Sequence, residues 1–332
     1  MSSYNTPNTD YLDLARTTYE SQLQSDYELI QSLKNMVTVN TDVMGVDHKV
    51  GIMGRSKGYE RIGSNMVTPT DFYTAETLLT YKNWENIHYH PKTRSYELSD
   101  LNVVSALTHD VAASLNAFVE MKISQAVYDV ATIKSKAWNA SDNSLITKSM
   151  QIMGDGSDQA GGSLAAGDIK PFDLGGLRRL AIIKNQLGIQ NNELIVVATP
   201  GMLNALLQID QFVNSRYVND YYPLTKVVDV YSWMGLLIIP AQANVYDSTV
   251  AGTSLFGYAS ICGLKTDSVS STPYVISYAF PKDAILLKSD SVIAETGWEY
   301  RNNSWYFKGN VRAGSAVVAP NKVIQIVTSS IS

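Results

Sequence analysis

Residues 173–207 read DLGGLRRLAIIKNQLGIQNNELIVVATPGMLNALL, and they contain the clearest signals of local structure in the chain. Asp173 can cap a helix whose leucines and isoleucines repeat at helical spacing. Gly188 stands where such a helix usually ends. Residues 193–198 are a short, mostly apolar and β-branched run, which is too brief for a helix and predicts a buried strand.

The chain then repeats this alternation of helix and strand. Thr199 directly before Pro200 predicts a second, short helix over residues 201–207. A polar loop rich in aromatic residues follows. Trp233-Met234-Gly235 then leads into residues 236–240 (LLIIP), which predict a second apolar strand that ends at its proline. The aromatic residues of the loop are Phe212, Tyr217, Tyr221 and Tyr222. From Asp168 to Gln242 the chain has almost no side chains suited to catalysis.

This order of elements resembles the A domain of tailed-phage major capsid proteins, which have the HK97-like fold. The resemblance implies an α+β chain in which the A domain is inserted into a P domain built from a long spine helix and a β-sheet. The parts it implies are an N-terminal arm (1–40), an E loop hairpin with flanking strands (41–98), the first part of the P domain with the spine helix (99–150), the A domain (151–282) and the second part of the P domain (283–332).

Residues 1–40 are acidic, with scattered tyrosines and leucines, and predict an extended arm with one helix. A disordered terminus is an alternative for the first ten residues. The segment from Gly45 to Gly63 has five glycines interleaved with basic residues, so it cannot build a core and predicts a flexible hairpin that becomes ordered against another surface. The basic residues are Lys49, Arg55, Lys57 and Arg61. The P-loop pattern GxxxxGK[ST] is absent, which argues against a phosphate-binding loop.

By resemblance this hairpin is the E loop. The resemblance implies that its four basic residues, together with the four aromatic residues of the loop, contact neighbouring subunits. It also implies that the arm reaches over a neighbouring subunit, and that a subunit without residues 1–40 folds but assembles poorly.

The strongest helical pattern runs from Asp100 to Ala137 without glycine or proline. It predicts a rod of roughly 55 Å, which resembles the spine helix of the capsid family. An ordinary core helix or a coiled coil is the alternative. Residues 153–158 (MGDGSD) then predict a turn, because their spacing departs from a calcium-binding loop. Short β-type runs between residues 284 and 327 predict an antiparallel sheet.

Composition narrows the function classes. The net charge of −5 argues against a protein that grips nucleic acid through a dense cationic surface. Cys262 is the single cysteine, so no internal disulfide or cysteine metal cluster can form, and its apolar neighbours predict a buried packing residue. No apolar run approaches the length of about 18 residues that spans a bilayer, and no secretory leader is present. His88 and His90 share one face of a predicted strand, but no third ligand is recognisable.

No catalytic motif stands out, since GxSxG is absent and the chain has four histidines. We therefore expect a protein that is not an enzyme and that binds neither a cofactor nor a metal. The resemblance implies a major capsid protein that self-assembles into hexamers and pentamers of an icosahedral phage head around double-stranded DNA, in the cytoplasm of a bacterial host. Expected partners are other copies of the chain, a separate scaffolding protein, a portal and weakly bound DNA. The alternatives are an encapsulin-type nanocompartment, which packages enzymes, and a monomeric α+β enzyme or binding domain.

Overall fold

The computed structural model describes most of the chain and places two β-sheets and a separate hairpin beside one long helix. The residues described are 9–29, 33–40, 47–53, 74–91, 94, 97–98, 100–133, 146–158, 164–189, 194–209, 220–224, 228–233, 235–240, 265–269 and 272–329. The helices are α1 (Thr9–Leu29), α2 (Leu101–Tyr128), α3 (Leu174–Gln186) and α4 (Pro200–Leu207). The strands are β1 (Thr38–Asn40), β2 (Asp47–Met53), β3 (Thr74–Thr80), β4 (Lys82–Pro91), β5 (Thr132–Ile133), β6 (Ser149–Met153), β7 (Leu194–Ala198), β8 (Asp220–Leu224), β9 (Val228–Trp233), β10 (Leu236–Pro240), β11 (Lys265–Val269), β12 (Thr272–Pro281), β13 (Ile285–Ser289), β14 (Ile293–Glu299), β15 (Ser304–Val317) and β16 (Ile324–Ser329).

The long helix α2 is shorter than its sequence pattern predicts. Asp100 caps its first turn by accepting a hydrogen bond from the Asn102 N–H at 2.9 Å. Its 28 residues make a rod of about 42 Å. The prediction that the helix continues to Ala137 is wrong, because β5 leaves it and pairs in parallel with β6. Pairing with a distant strand overrides a helical pattern that nothing interrupts locally.

Helix α1 belongs to the core of the subunit. Tyr19 and Leu23 on this helix are fully buried. The turn after the helix is held by Glu120 of α2, which accepts the Leu33 N–H at 3.1 Å. The amide Nδ2 of Asn116 donates to the Tyr27 carbonyl at 3.2 Å. The prediction of one helix in this region is confirmed, whereas an arm that extends away from the subunit is wrong for residues 9–29.

The five-stranded sheet rests against α2 through one of its faces. Its order is β1-β13-β15-β14, with β4 paired to β15 as well. Trp84 on β4 stacks on Phe118 of α2, with ring centroids 5.2 Å apart and planes at 11°. Tyr19 of α1 meets Phe307 of β15 edge to face at 5.2 Å. These aromatic contacts join α1, α2 and the sheet into one core.

The nine-stranded sheet is buried on both faces at its centre. Its order is β5-β6-β16-β12-β7-β10-β9-β8, with β11 paired to β12. Ile195 and Val197 of β7 face the core around α2, while Val196 and Ala198 face a second core that includes buried residues of α3 and α4. Burial on both faces explains why β7 is apolar at every position.

The final strand departs from the sequence prediction. Strands β13, β14 and β15 form the expected antiparallel arrangement. Strand β16, however, pairs antiparallel with β12 and parallel with β6 in the nine-stranded sheet. The prediction that the runs between residues 284 and 327 form a single antiparallel sheet is therefore wrong. Strands from both sides of residues 151–282 enter this sheet, and the division of the chain into five parts stays a prediction.

The helices and the strand of residues 173–207 form as their local signals predict. Asp173 accepts the Gly176 N–H at 3.1 Å at the start of α3, and Gly188 follows the helix with φ of 67°. Thr199 accepts the Met202 N–H at 3.0 Å at the start of α4. All residues of β7 are buried, and β10 pairs beside it in parallel.

The turn after β6 fits closely against the start of α3. The Oδ1 atom of Asp155 accepts the Ser157 N–H at 2.9 Å, so the predicted Gly-Asp turn is confirmed. A Cβ atom on Gly176 would lie 2.1 Å from the Gly154 carbonyl oxygen, and one on Gly156 would lie 2.6 Å from the carbonyl of Gly175. Glycine is therefore required on both sides of this contact.

Candidate assembly surface

The hairpin of β2 and β3 carries one predicted site residue, Lys49, on an exposed surface. The two strands pair antiparallel over their whole length, from Asp47 opposite Thr80 to Met53 opposite Thr74. Lys49 on β2 forms an ion pair with Glu76 on β3 at 3.1 Å, and 74% and 65% of these side chains are exposed. Leu78, a large apolar residue, is 58% exposed. The hairpin therefore presents surface that its own subunit does not bury.

The root of the hairpin, in contrast, is fixed to the body. Leu79 and Tyr81 are buried in a small apolar cluster with Ala316 of β15. A Cβ atom on Gly314 would lie 2.6 Å from the Thr80 carbonyl oxygen, so β15 approaches the backbone of the root directly. Arg312 lies over the Tyr81 ring at 5.5 Å. The hairpin thus has a rigid attachment and an exposed outer part.

The face of the five-stranded sheet that points away from α2 forms a second candidate surface. Ile87 and Tyr89 on β4 and Ile293 on β14 are exposed large apolar residues of these strands. Beside Ile87 in the register lies Lys308, whose ammonium is 3.2 Å from both Glu85 and Glu295. Burial lowers the pKa of Lys308, but hydrogen bonds to the two carboxylates outweigh this effect and raise it. Apolar residues and a fixed charge network at one face are features of protein contact surfaces.

The predicted contact residues fall into separate parts of the molecule. Lys49 lies on the exposed hairpin. Tyr221 and Tyr222 lie on β8, opposite Tyr231 and Val230 of β9 at one end of the nine-stranded sheet. The prediction of a loop is therefore wrong at these two residues, because pairing with β9 forms a strand there. The remaining predicted residues lie outside the described residues, and so does Cys262: they are Arg55, Lys57, Arg61, Phe212 and Tyr217. Of the predicted residues that the structure describes, Lys49 thus lies in a different sheet from Tyr221 and Tyr222, and the role of both sets in contacts stays a prediction.

The exposed sheet face was not predicted from the sequence. Residues 82–91 alternate between the two faces, but both faces carry aromatic residues, such as Trp84 toward α2 and Tyr89 away from it. An ordinary amphipathic strand would carry polar residues on its outer face. The signal that could have found this surface is therefore the aromatic and aliphatic content of both faces of β4.

His88 and His90 of β4 are side chains packed against their own subunit. His88 and His90 lie on one face, as predicted, with ring centroids 6.5 Å apart. His90 is buried, and its Nε2 atom lies 2.8 Å from the Arg94 carbonyl oxygen. Burial first, and then the neighbouring His90, lower the pKa of His88, against the opposing charge of Asp110. Within the described parts of the chain, no three His, Cys, Asp or Glu side chains form a group that could hold a metal ion.

A search for membrane segments gives a negative result. Among the helices of the described residues, none combines the length and apolar character needed to cross a membrane.

Comparisons with known proteins agree with the resemblance seen in the sequence. The family model described as phage capsid protein matches residues 13–329. A search of curated proteins finds no match. The structure is similar to that of the capsid of bacteriophage PhiM1, with a TM-score of 0.56, 10% identity, and coverage of 91% of this chain and 88% of the other.

Two further capsid structures have the same fold. The capsid of Ralstonia phage GP4 matches with a TM-score of 0.55 and 10% identity, over 90% of this chain and 88% of the other. The capsid of Cyanophage P-SCSP1u matches with a TM-score of 0.52 and 13% identity, over 90% of this chain and 88% of the other. The predicted α+β HK97-like class is thereby confirmed.

Proposed function

The chain belongs to the phage capsid protein family, and on this premise we propose that its copies assemble into the hexamers and pentamers of an icosahedral phage head that encloses double-stranded DNA. The observation that carries the proposal is the family match, which extends from residue 13 to residue 329. Because the match covers nearly the whole chain, it supports a structural role in the shell for the entire subunit and not for one domain alone.

The exposed hairpin supports assembly on physical grounds. A two-stranded hairpin is only marginally stable alone in water. Another subunit that covers exposed apolar residues such as Leu78 would therefore stabilise the hairpin. In this proposal Lys49 and the basic residues Arg55, Lys57 and Arg61 contact a neighbouring subunit. The aromatic residues Phe212, Tyr217, Tyr221 and Tyr222 form a second contact near the centre of a capsomer, because tyrosine and phenylalanine contribute large contact area at interfaces.

The further partners follow from the same proposal. We expect a separate scaffolding protein and a portal to take part in assembly in the host cytoplasm, and the finished chain to be a component of the virion. The net charge of −5 favours weak, non-specific contact with the packaged DNA. We propose a structural role without enzymatic activity, cofactor or metal.

The proposal is tested by purifying the chain, alone and together with its scaffolding protein, and examining it by sedimentation velocity and negative-stain electron microscopy. We expect capsomers or closed shells. A folded monomer that forms neither, even with the scaffolding protein present, would contradict the proposal.

A further inference from the structure

A groove opens where the hairpin meets the body of the subunit. It encloses about 460 Å³ between the described hairpin, the last turns of α2 and strand β15. Its walls are partly polar: Thr80, Lys82, Lys122, Asp129, Thr147 and Ser315 line it. The groove is therefore large enough for a side chain of another protein and carries polar groups that could fix one in place.

Two lysines from different elements lie in this groove. Lys122 on α2 donates a hydrogen bond to the Gln125 side chain at 3.0 Å, and its ammonium lies 5.4 Å from the centre of the Phe118 ring. Burial first, and then the charge of Lys82 on β4, lower the pKa of Lys122, while Asp129 opposes them. Both cations line the same groove, and the charge of Lys82 disfavours the charged form of Lys122.

Carboxylates of the same subunit compensate this charge only in part. Glu76 also lines the groove, but it is already paired with Lys49 at 3.1 Å. Asp129 acts on Lys122 through its charge and is exposed to solvent. Within the part of the chain that the structure describes, neither Lys82 nor Lys122 forms an ion pair within 4.0 Å. A negatively charged group that enters the groove would gain two ammonium partners.

We propose that a carboxylate side chain of a second copy of this chain enters the groove and binds between Lys82 and Lys122. The inference rests on the proposed self-assembly and names the chemistry of one of its contacts. Hairpin residues from Ala75 to Thr80 line the groove, so a copy that contacts the hairpin, as proposed above, would also face the groove. Acidic residues outnumber basic ones in the chain, 31 to 26, so a second copy offers many carboxylates.

The charge reversal Lys82→Glu with Lys122→Glu tests the contact. We expect the isolated subunit to keep its circular dichroism spectrum and to lose only a few degrees in thermal midpoint, since the reversal removes the contacts of Lys122 with Gln125 and the Phe118 ring but breaks no ion pair within 4.0 Å. The concentration needed for assembly should rise roughly tenfold or more. The variant with both lysines changed to arginine keeps the charge and should assemble like the wild type. Lys170→Glu, an exposed lysine outside the groove, is the matched control.

The outcomes separate the two proposals. A wild-type protein that never assembles contradicts the proposed function itself. Normal assembly of the charge-reversed variant overturns the groove contact alone. A variant whose isolated subunit loses many degrees of thermal stability would show that a carboxylate of the same chain occupies the groove. If the reversal prevents folding, the Lys82→Gln, Lys122→Gln variant takes its place with the same expectations.

Isotope mixing identifies the copy that supplies the carboxylate. Subunits labelled with ¹⁵N and unlabelled subunits are assembled together, and a carbodiimide then joins adjacent amines and carboxylates without a spacer. We expect mass spectrometry to find Lys82 or Lys122 linked to acidic peptides in pairs of mixed label. If every cross-link joins two peptides with the same label, the proposal that a second copy supplies the carboxylate is overturned.

Discussion

Glycine serves opposite purposes in the hairpin and at the junction between α3 and the turn after β6. A Cβ atom on Gly51 of the hairpin would meet nothing within 4 Å, whereas one on Gly176 would meet a carbonyl oxygen at 2.1 Å. The junction uses glycine so that two backbones can touch. The hairpin uses it without any such contact in the subunit. The junction therefore makes all its contacts within the folded subunit, whereas the hairpin leaves surface that a partner can cover.

The largest effect is expected at the junction. Gly176→Ala should lower the free energy of unfolding by about 3 kcal/mol or more, because the added methyl group collides with the backbone of the turn. Helix propensity alone would favour alanine by about 1 kcal/mol, so the sign of the result is informative. Gly51→Ala is the matched variant, and we expect its unfolding free energy to stay within about 0.5 kcal/mol of the wild type. Chemical denaturation measures both, and equal effects would break the comparison.

The next effect concerns helix α1, which packs in the core of the subunit and is therefore expected to contribute to folding. Leu23→Ala removes a fully buried side chain and should destabilise the subunit by about 3 kcal/mol. Leu14→Ala on the same helix removes a side chain that is 53% exposed, so its effect should stay below about 0.5 kcal/mol. Thermal or chemical unfolding of the two variants decides the matter. If Leu23→Ala were as mild as Leu14→Ala, α1 would have to be regarded as a detachable arm.

A smaller effect depends on pH and involves the turn after α1. Burial lowers the pKa of Lys34 to about 8, against the opposing charges of Glu120 and Glu28. The unfolded chain therefore holds the Lys34 proton between about pH 8 and pH 10.5 while the folded chain has released it, so folding stability rises with pH in this window.

The variant Lys34→Met isolates this contribution. We expect the wild type to gain stability relative to the variant between pH 7.5 and pH 9.5, as measured by urea denaturation at both values. The upper limit avoids the titration of Tyr27, whose pKa burial raises. A difference that stays constant with pH would show that the Lys34 ammonium is not affected by its surroundings in the core.

The smallest effect on stability is expected in the hairpin. Lys49→Ala removes an exposed ion pair, which should cost less than about 0.5 kcal/mol of unfolding free energy. Its effect on assembly should be larger than its effect on folding. Glu76→Ala removes the same pair from the other strand and serves as the control, so a loss of assembly seen only with Lys49→Ala assigns the contact to the lysine itself.

Local signals in the sequence were sufficient for α3, β7, α4 and β10, but not for β8 and β9, which pair with each other where a loop was predicted. Helix caps and helix-ending glycines involve only residues that are close in the sequence, so they can be predicted without knowledge of the fold. This applies to the hydroxyl of Thr199, the carboxylate of Asp173 and the position of Gly188. The end of α2 could not be read in this way, because it depends on β5 pairing with a strand beyond residue 145. The sheet to which β16 belongs depends on β12 and β6, which are likewise distant in the sequence.

The candidate surfaces were only partly predictable for the same reason. The exposed Lys49 followed from the glycine-rich, basic character of its segment. The groove did not, because Lys82 and Lys122 lie on different elements and only the packing of β4 on α2 brings them together. The close contact at Gly176 was equally invisible, since a glycine in the first turn of a helix has no distinctive sequence signal.

The most direct test of the division between folding and assembly replaces the segment that connects β2 to β3 in the sequence. Residues 54–73 are replaced by a short Gly-Ser linker, and wild type and variant are compared by sedimentation velocity under conditions in which the wild type forms shells. We predict that the variant stays folded and sediments as free subunits or small capsomers, with no shells. Shells of normal size from the variant would contradict the central claim that this hairpin exists for contacts between subunits.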